Sequence, residues 1–307
     1  MVEVNRRTVL VIFSYNRPDL TRRRLEQLVG VNCQIIVSID APKTDTTQAD
    51  FSDLEIEFSK HVKFVSVSEN IGTATHIITR ISEQFQSYDN VIVIEDDAAV
   101  DKISVETLIG ILKHRLPSDV LTIGLFGGMP GKLLSILGLS YWRKTRYFSA
   151  WGWAIQKEDW HLFNLDIKRE ISSLENSKSW QRLSEKERAI WSQRFHKVVC
   201  TPTFTWDYQM MFYGFLHDKK HLLPLFRSCD NEGFGDGRAV NTNSFKPNWY
   251  VGSRGVVQNR GEAIKFIAAP LERAFENLDK VTWAGSSTFM SRIHKYKSHL
   301  LRTTRVH

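Results

Sequence analysis

The sequence predicts an α/β fold in which a mainly parallel, Rossmann-like sheet is flanked by helices. Short runs rich in Val and Ile alternate with helix-patterned segments through the first third of the chain, and this alternation is typical of βαβ units. The chain has 307 residues, of which 42% are hydrophobic. This composition is that of a globular protein and allows one large domain or two fused halves.

The individual elements follow from local patterns. Each predicted strand is a run of β-branched and apolar residues of strand length. Pro18 is typical of the first position of a helix, and isoleucines at helical spacing mark a later helix. The predicted strands cover residues 8–15, 34–39, 62–67, 91–94 and 120–126, and the helices begin at Pro18 or cover 71–85 and 105–112.

Charge and cysteine content limit the compartment and the partners. The formal net charge of +7 favours an acidic partner such as nucleic acid, anionic lipid or a nucleotide. Three scattered cysteines argue against a disulfide framework and against a cysteine-based zinc site. The apolar run 8–15 is too short to span a membrane and lacks a signal-peptide pattern. We therefore expect a cytoplasmic protein.

The most informative segment is a strand-like run that ends in three acids. Residues 91–94 have the Val/Ile content of a strand buried on both faces, and Glu95, Asp96 and Asp97 follow directly. Three adjacent carboxylates do not all stay ionised without a counter-charge, and a hard divalent cation such as Mg²⁺ or Mn²⁺ supplies one. The alternative is a strand followed by a solvated acidic turn, which a short motif alone does not exclude.

Two further charged residues follow other predicted strands. Arg17 comes after the first strand and Asp40 directly after the second. The carboxyl ends of parallel strands lie along one edge of a sheet, where open α/β sheets bind their ligands. We therefore expect Arg17, Asp40 and the acids 95–97 to converge on one crevice, which is a more specific signal than any single motif.

Several segments also occur in the order and approximate spacing of a known enzyme family, from about residue 8 to residue 237. They are residues 9–17, 35–40, 74–76 with 83–85, 91–97, 148–153 with Trp160, and 205–207. In these segments the chain resembles the GT-A-fold glycosyltransferases, and most of all the inverting N-acetylglucosaminyltransferase I of the N-glycan pathway and its bacterial relatives. The last 70 residues or so carry no such resemblance.

The resemblance implies an inverting, metal-dependent transfer of a sugar from a UDP-sugar. The sugar would be N-acetylglucosamine or a related hexose, and the acceptor a glycan or a lipid-linked glycan. Asp97 would bind Mn²⁺ or Mg²⁺, which bridges the donor diphosphate. Asp96 would hydrogen-bond the ribose or the transferred sugar, and Glu95 would contact the sugar or orient its neighbours.

Four residues outside the acidic run also receive roles from the resemblance. Asp40 would accept the uracil N3–H, Arg17 would approach the ribose-phosphate portion, and His76 would lie beside the uracil. Asp207 would be the catalytic base, a task that a carboxylate can perform. Only one acid occurs here where the family has two, and Tyr208 takes the second place, which leaves the acceptor contacts open.

The aromatic residues of the second half suggest how the base and the acceptor are placed. Trp206 and Tyr208 flank Asp207, and aromatic neighbours desolvate a carboxyl group, raise its pKa and offer flat faces for sugar rings. Of Trp151 and Trp153, we expect one to pack in the core and the other to face the acceptor.

Several of these residues have simpler structural explanations that the sequence leaves open. Asp207 could cap the N-terminus of the helix that follows it. His76 could be a satisfied core histidine, and Arg17 an ordinary first-turn residue. The loop 233–237, with Arg238 beside it, could close over the donor or be a plain connection.

The same resemblance divides the chain into parts. Residues 1–130 would form a nucleotide-sugar-binding half, and residues 131–285 the mixed α+β acceptor-binding half of the same GT-A domain. The charged stretch 168–194 predicts exposed helices. Residues 286–307 are basic and amphipathic, which is typical of a peripheral helix on an anionic membrane, here the inner face. The alternatives for this tail are a helix docked on the protein itself or a frayed end.

Two other classes of function compete with a glycosyltransferase. A sugar-nucleotide nucleotidyltransferase would need a glycine-rich basic loop after the first strand to hold a triphosphate, and residues 14–18 contain no glycine. A non-enzymatic, basic glycan- or nucleic-acid-binding protein would not explain acids at several strand ends, which repel phosphate. We therefore expect a nucleotide-sugar partner and no nucleic acid.

Overall fold

The computed structural model describes residues 6–42, 50–129, 131–138, 140–238, 254–258, 264–268, 271–272, 274–276 and 279–280. The basic tail 286–307 lies outside these residues, so its membrane binding stays a prediction. Within the described part of the chain, no helix has both the length and the apolar character needed to cross a bilayer.

The described elements alternate between strands and helices at first and become mainly helical later. The strands are β1 (Thr8–Ser14), β2 (Gln34–Ile39), β3 (Val62–Ser66), β4 (Asn90–Glu95), β5 (Ala98–Val100), β6 (Val120–Gly124), β7 (Trp142–Thr145), β8 (Trp153–Gln156), β9 (Lys220–Pro224) and β10 (Cys229–Asn231). The helices are α1 (Pro18–Leu28), α2 (Ser52–Phe58), α3 (Thr73–Gln84), α4 (Lys102–Leu112), α5 (Lys132–Ile136), α6 (Lys157–Trp160), α7 (Lys178–Gln181), α8 (Glu185–Cys200) and α9 (Asp207–Leu216). Short 3₁₀ helices cover Ile171–Asn176 and Pro202–Phe204.

An eight-stranded sheet forms the centre of the described structure, in the order β3-β2-β1-β4-β8-β6-β9-β7. The first four strands in that order are parallel to one another. β8 runs antiparallel between β4 and β6, β6 and β9 are parallel, and β7 closes the edge as an antiparallel strand. The predicted α/β fold with a mainly parallel sheet is therefore confirmed.

The sheet is buried on both faces, which explains the apolar runs of its strands. Along β1, Leu10 and Ile12 pack into one core with α1, α2 and α4. Val9 and Val11 point the opposite way into a second core with α3, α8 and α9. Successive strand residues alternate between faces, so both layers hold the carboxyl ends of the strands in fixed positions.

The prediction of exposed helices within residues 168–194 is wrong for one side of these helices. Trp180 and Trp191 are only 1% and 2% exposed and belong to the second core. Their apolar side chains are spaced widely among charged residues, so the average charge of the stretch concealed a buried stripe.

A second, small sheet was not predicted. β5 pairs antiparallel with β10, with Asn231 opposite Ala98 and Cys229 opposite Val100. Strands of three residues are too short for a recognisable pattern. This pairing brings the segment after β10 against the acids that end β4.

Candidate functional site

The carboxyl ends of β1, β2 and β4 meet at one edge of the sheet, as predicted. The backbone N–H of Asp40 donates to the carbonyl of Ser14 at 3.0 Å, and that of Asp96 donates to Phe13 at 2.9 Å. A pocket of about 90 Å³ lies at this edge. It is lined by residues 13–17, Asp40, Thr73, His76, Ile77, Glu95, Asp96, Asp97 and Arg238. Six of the seven predicted site residues thus share one pocket, and Asp207 is outside its lining.

The guanidinium of Arg17 binds two of the three acids. Its Nη1 donates to Asp97 Oδ2 at 3.1 Å, and its Nη2 donates to Asp96 Oδ1. The Arg17 side chain is 11% exposed, and those of Asp96 and Asp97 are 2% and 6% exposed. Such burial strengthens the attraction between the charges. The second oxygen of Asp96, Oδ2, is buried without a hydrogen-bond partner among the described residues.

Burial dominates the ionisation of the three acids. Burial, followed by the charges of Asp97 and Asp96, raises the pKa of Glu95 to about 8. Burial raises the pKa of Asp96 to about 7, although Arg17 opposes the shift. Burial likewise raises the pKa of Asp97, with Arg17 again opposing. One guanidinium therefore does not neutralise the cluster, and near neutral pH the cluster also holds protons that a second cation would displace.

Asp40 is held at the pocket wall by backbone amides. Its Oδ1 accepts hydrogen bonds from the N–H groups of Ala41 at 3.0 Å and Ile71 at 3.3 Å. Its Oδ2 lies 3.4 Å from the side-chain amide nitrogen of Asn70, and the backbone N–H of Gly72 also hydrogen-bonds the carboxyl group. Burial raises the pKa of Asp40, and backbone hydrogen bonds oppose the shift. Oδ2 can therefore still accept a hydrogen bond from a ligand.

His76 is a buried, hydrogen-bonded histidine that also lines the pocket, and its contact with a nucleotide stays a prediction. It is 3% exposed, its Nε2 shares a hydrogen bond of 2.8 Å with Ser38 Oγ, and its ring packs edge-on against Phe13. Burial lowers the pKa of His76 to about 4, so the imidazole is neutral at pH 7. Hydrogen-bonded and buried as it is, the ring still forms part of the pocket wall beside Asp40.

Asp207 is the first residue of α9, at the start of the helix rather than at its cap. Trp206 occupies the N-cap position, without a side-chain capping bond, one residue before the position that the capping alternative gave to Asp207. The Asp207 carboxylate nevertheless accepts hydrogen bonds from the backbone N–H groups of Asp207 and Tyr208 in the first turn. The hydroxyl of Thr205 donates to Asp207 Oδ1. Burial raises the pKa of Asp207, with the Thr205 hydrogen bond opposing. The charge of Asp207 is also a minor contributor to the raised pKa of Glu95, so the two carboxyl groups interact electrostatically.

The aromatic residues around Asp207 are used differently from the prediction. Trp206 is 5% exposed and stacks on Trp153 with ring centroids 5.3 Å apart, so its face is taken by the core. The guanidinium of Arg194 lies 5.3 Å above the ring centroid of Tyr208. Trp153 packs in the core, as expected for one of the pair, while Trp151 is partly buried. That Trp151 faces an acceptor stays a prediction.

The sequence did not reveal a wall of the site formed by the segment after β10. The backbone N–H of Glu232 donates to the Asp97 carbonyl at 2.7 Å. A Cβ atom at Gly233 would come within 2.4 Å of Asp97 Oδ2. Arg24, fully buried in α1, donates to Glu232 Oε2 at 2.9 Å. Its positive charge opposes the rise in the pKa of Asp97 that burial causes. The glycine-rich loop was the available signal, but its contact with the acids depends on the unpredicted β5–β10 pairing.

Arg238, at the end of that loop, contributes a second guanidinium to the pocket lining. It donates to Asp19 Oδ1 at 2.6 Å and to Asp236 Oδ2 at 2.9 Å, and its side chain is 42% exposed. These contacts connect the loop to the first turn of α1 across the pocket rim.

The acids fit a divalent cation only in company with a ligand. Among the described residues, no three His, Cys, Asp or Glu side chains form a group that could hold a metal ion by themselves. Mg²⁺ and similar ions are commonly bound by one or two carboxylates together with waters and substrate phosphates. Asp97 at the pocket wall and the partnerless Oδ2 of Asp96 match that requirement. The donor set therefore suits a metal bound together with a diphosphate.

Comparison with known proteins identifies no family for this chain. No protein-family model matches it, and no curated protein sequence matches it. Solved structures with a similar fold include two enzymes whose names mark them as transferases, at sequence identities of 12–16% in the three examples that follow.

Three of these structures illustrate the likeness. The mannosyltransferase PcManGT from Pyrobaculum calidifontis, in complex with GDP-Man and Mn²⁺, is 12% identical, with 70% of each chain covered and a TM-score of 0.40. A mannose-1-phosphate geranyltransferase from Thermus thermophilus is 12% identical, with 73% of this chain and 76% of that chain covered and a TM-score of 0.41. Residues 1–349 of S. aureus TarS are 16% identical, with 49% and 47% covered and a TM-score of 0.34. At TM-scores below 0.5, these structures assign no activity to this chain, and the resemblance to N-acetylglucosaminyltransferase I stays a prediction.

The raised pKa of Glu95 predicts that stability falls as the pH rises. A carboxyl group that keeps its proton in the folded state to about pH 8 but loses it near its ordinary value when unfolded favours the unfolded state across that window. Glu95→Gln should therefore raise the free energy of unfolding by about 1–2 kcal/mol at pH 8 and change it little at pH 5. Urea denaturation in chelator at both pH values measures this.

Glu26→Gln, on the exposed face of α1, is the matched control and should keep the pH profile of the parent protein. If Glu95→Gln shows the same loss of stability between pH 5 and pH 8 as the parent protein, Glu95 is not the buried acid described here.

Proposed function

We propose that the protein is a metal-dependent, inverting glycosyltransferase that moves a sugar from a UDP-sugar to a glycan or lipid-linked glycan. The sugar is N-acetylglucosamine or a related hexose. The observation that supports this best is the meeting of Arg17, Asp40 and the acids 95–97 at three neighbouring strand ends, with Asp207 close enough to influence Glu95. A donor site and a separate carboxylate base are the two parts that glycosyl transfer needs.

The nucleoside end of the donor would lie against Asp40 and His76. Oδ2 of Asp40 can accept the N3–H of uracil, a group that cytosine lacks. The neutral ring of His76 supplies a flat wall beside it and, because burial keeps it uncharged, brings no charge to the base. These two side chains favour a uridine donor.

The diphosphate end would lie against Arg17 and the acids. Asp97, with Asp96 beside it, would hold Mn²⁺ or Mg²⁺. When bound, this ion neutralises the diphosphate and makes it a better leaving group. Arg17 would hydrogen-bond phosphate oxygens through its planar fork. Asp96 and Glu95 would hydrogen-bond the ribose and the transferred sugar.

Asp207 would remove the proton from the attacking hydroxyl of the acceptor. A base works best when its pKa approaches the working pH, and burial raises the pKa of Asp207 in that direction. The Thr205 hydroxyl, which donates to Oδ1, and the backbone N–H groups of Asp207 and Tyr208 orient the carboxylate that would accept the proton. The new bond then forms on the sugar face opposite the departing diphosphate, which gives inversion.

The two predicted halves of the chain would cooperate as parts of a single domain. β8 from the second half is inserted between β4 and β6, so residues 1–130 and 131–285 share one sheet. The donor would bind at the ends of β1, β2 and β4, and the acceptor would approach from the side of α9. Cytoplasmic location and contact of 286–307 with the inner membrane face complete the proposal.

A sugar-nucleotide nucleotidyltransferase is the alternative, and the structure around Arg17 disfavours it. The segment from Ser14 to Arg17 has no glycine to wrap a triphosphate. α1 begins with Pro18, which lacks the backbone N–H that a helix N-terminus would offer to phosphate. The described pocket thus lacks the phosphate loop that such an enzyme requires.

Two substitutions should separate donor binding from the chemical step. Asp97→Asn should abolish both metal-dependent UDP binding and release of UDP from a UDP-sugar. Asp207→Asn should leave metal-dependent UDP binding within about threefold of the parent protein but lower the transfer rate by at least ~100-fold, as loss of a general base does. UDP release is measured with UDP-N-acetylglucosamine, UDP-glucose and UDP-galactose, and GDP-mannose is the control nucleotide sugar.

Near-normal turnover by Asp207→Asn would show that another group is the base. UDP release that survives Asp97→Asn in full would remove the metal from the proposed mechanism. Activity with GDP-mannose alone would contradict the assignment of Asp40 to uracil.

Two glycines of one loop provide a steric test of the donor site. Gly233→Ala would place a Cβ atom 2.4 Å from Asp97 Oδ2 and displace that carboxylate, whereas a Cβ at Gly237 meets no described atom within 4 Å. Gly233→Ala should weaken Mn²⁺-dependent UDP binding by at least roughly tenfold, since a displacement of about 1 Å in a site is costly. Gly237→Ala is the matched control, and calorimetry measures both. Equal binding by the two variants would show that Asp97 Oδ2 is not used.

A further inference from the structure

We propose that Arg17 is an exchangeable counter-ion that makes metal binding conditional on the nucleotide. Its guanidinium occupies the carboxylate of Asp97 in the empty protein and moves to the diphosphate when the nucleotide and metal arrive together. This inference rests on the proposed donor site. It gives Arg17 a role in ordering the two ligands, beyond contact with the donor.

The geometry places Arg17 where a metal ion would bind. Its Nη1 lies 3.1 Å from Asp97 Oδ2, and its Nη2 donates to Asp96 Oδ1. The fork therefore bridges the two acids that would hold the metal. A planar guanidinium that is engaged on both sides by carboxylates does not have the same N–H groups available for phosphate.

Packing leaves Oδ2 of Asp97 little room for a second cation. The backbone at Gly233 approaches this oxygen so closely that a Cβ atom there would lie 2.4 Å from it. The chain is fixed in that position, since the Glu232 N–H donates to the Asp97 carbonyl at 2.7 Å and Gly233 N–H donates to Asn231 Oδ1 at 2.8 Å. An ion that binds Oδ2 therefore competes with the guanidinium for this oxygen.

Charge leads to the same conclusion. A monovalent guanidinium and a divalent cation held on one buried carboxylate repel each other strongly in this low-dielectric setting. A diphosphate relieves the repulsion, because its negative charge accepts both the guanidinium and the metal. The bidentate match between guanidinium and phosphate gives Arg17 a partner in its new position.

The size of the pocket also requires a rearrangement. Its volume of about 90 Å³ is well below the ~300 Å³ of the smaller ligand pockets, so a nucleotide does not fit without movement of the lining. The second guanidinium of the lining, Arg238, is engaged at the rim by Asp19 and Asp236. Arg17 lies deeper, at 11% exposure, and its withdrawal from the acids would open space beside Asp97.

The proposal predicts coupled binding of Mn²⁺ and UDP. Titration of Mn²⁺, followed by the electron paramagnetic resonance signal of the free ion, should show at least roughly tenfold tighter binding with saturating UDP than without it. Arg17→Gln should bind Mn²⁺ alone roughly tenfold more tightly than the parent protein. The gain in Mn²⁺ affinity from UDP should be smaller than in the parent protein, because only the direct contact between the metal and the diphosphate still couples the two ligands.

Two further variants control for charge and for folding. Arg22→Gln removes one positive charge from the same helix, where Arg22 pairs with Glu57 at the surface, and should leave both Mn²⁺ affinities unchanged. Arg17→Lys keeps the charge on the acids but loses the fork. Arg17→Lys should bind Mn²⁺ alone as weakly as the parent protein does. UDP should increase its affinity for Mn²⁺ less than it does in the parent protein. It carries the test if Arg17→Gln does not fold.

The outcomes separate this inference from the proposed function. If the parent protein binds UDP only with Mn²⁺ but Arg17→Gln binds Mn²⁺ alone no better than the parent protein, the exchange is wrong and the donor site stands. If Arg17→Lys gains as much from UDP as the parent protein, the exchange is also overturned. If the parent protein shows no Mn²⁺-dependent UDP binding, the proposed function itself fails.

Discussion

The crowding of three adjacent carboxyl groups at the end of β4, with Asp96 and Asp97 buried and Glu95 part-buried, is the constraint on which the site depends. Two arginines offset part of the free-energy cost of placing these acids together. Arg17 bridges two of the acids, and Arg24 adds positive charge from within α1. What remains is offset by protonation, seen in the raised pKa values of Glu95 and Asp96. One guanidinium does not neutralise these acids, and such a cluster contributes little to the stability of a fold. A cation bound with the donor, as proposed above, would supply the missing positive charge.

The parallel sheet makes this concentration of charge possible. β1, β2 and β4 are adjacent and end at the same edge of the sheet. One core packs against each face of these strands. Side chains that follow these strands are therefore held by elements that cannot shift independently, which is what a binding site requires. The antiparallel β5–β10 pair then folds the chain back and places Gly233 against Asp97.

Local pattern and sheet geometry sufficed to predict much of this arrangement from the sequence. The apolar runs predict strands β1 to β4 and β6. The rule that parallel strands end at one edge predicts the meeting of Arg17, Asp40 and the acids. The β5–β10 contact could not be predicted, since it joins two three-residue strands far apart in the chain. The engagement of Arg17 with Asp96 and Asp97, and the burial of Trp206, depend on side-chain packing that no periodicity encodes.

Calorimetric titration of UDP into the full chain, once with Mn²⁺ and once with chelator, tests most directly that the acids at the end of β4 form a metal-dependent nucleotide site. Binding is expected with Mn²⁺ and should be lost in chelator. CDP, which carries the same diphosphate but lacks the N3–H that Asp40 would accept, should bind at least roughly tenfold more weakly than UDP. Absence of UDP binding under both conditions would contradict a nucleotide site at the end of β4. Equal binding of UDP in Mn²⁺ and in chelator would contradict its dependence on a metal.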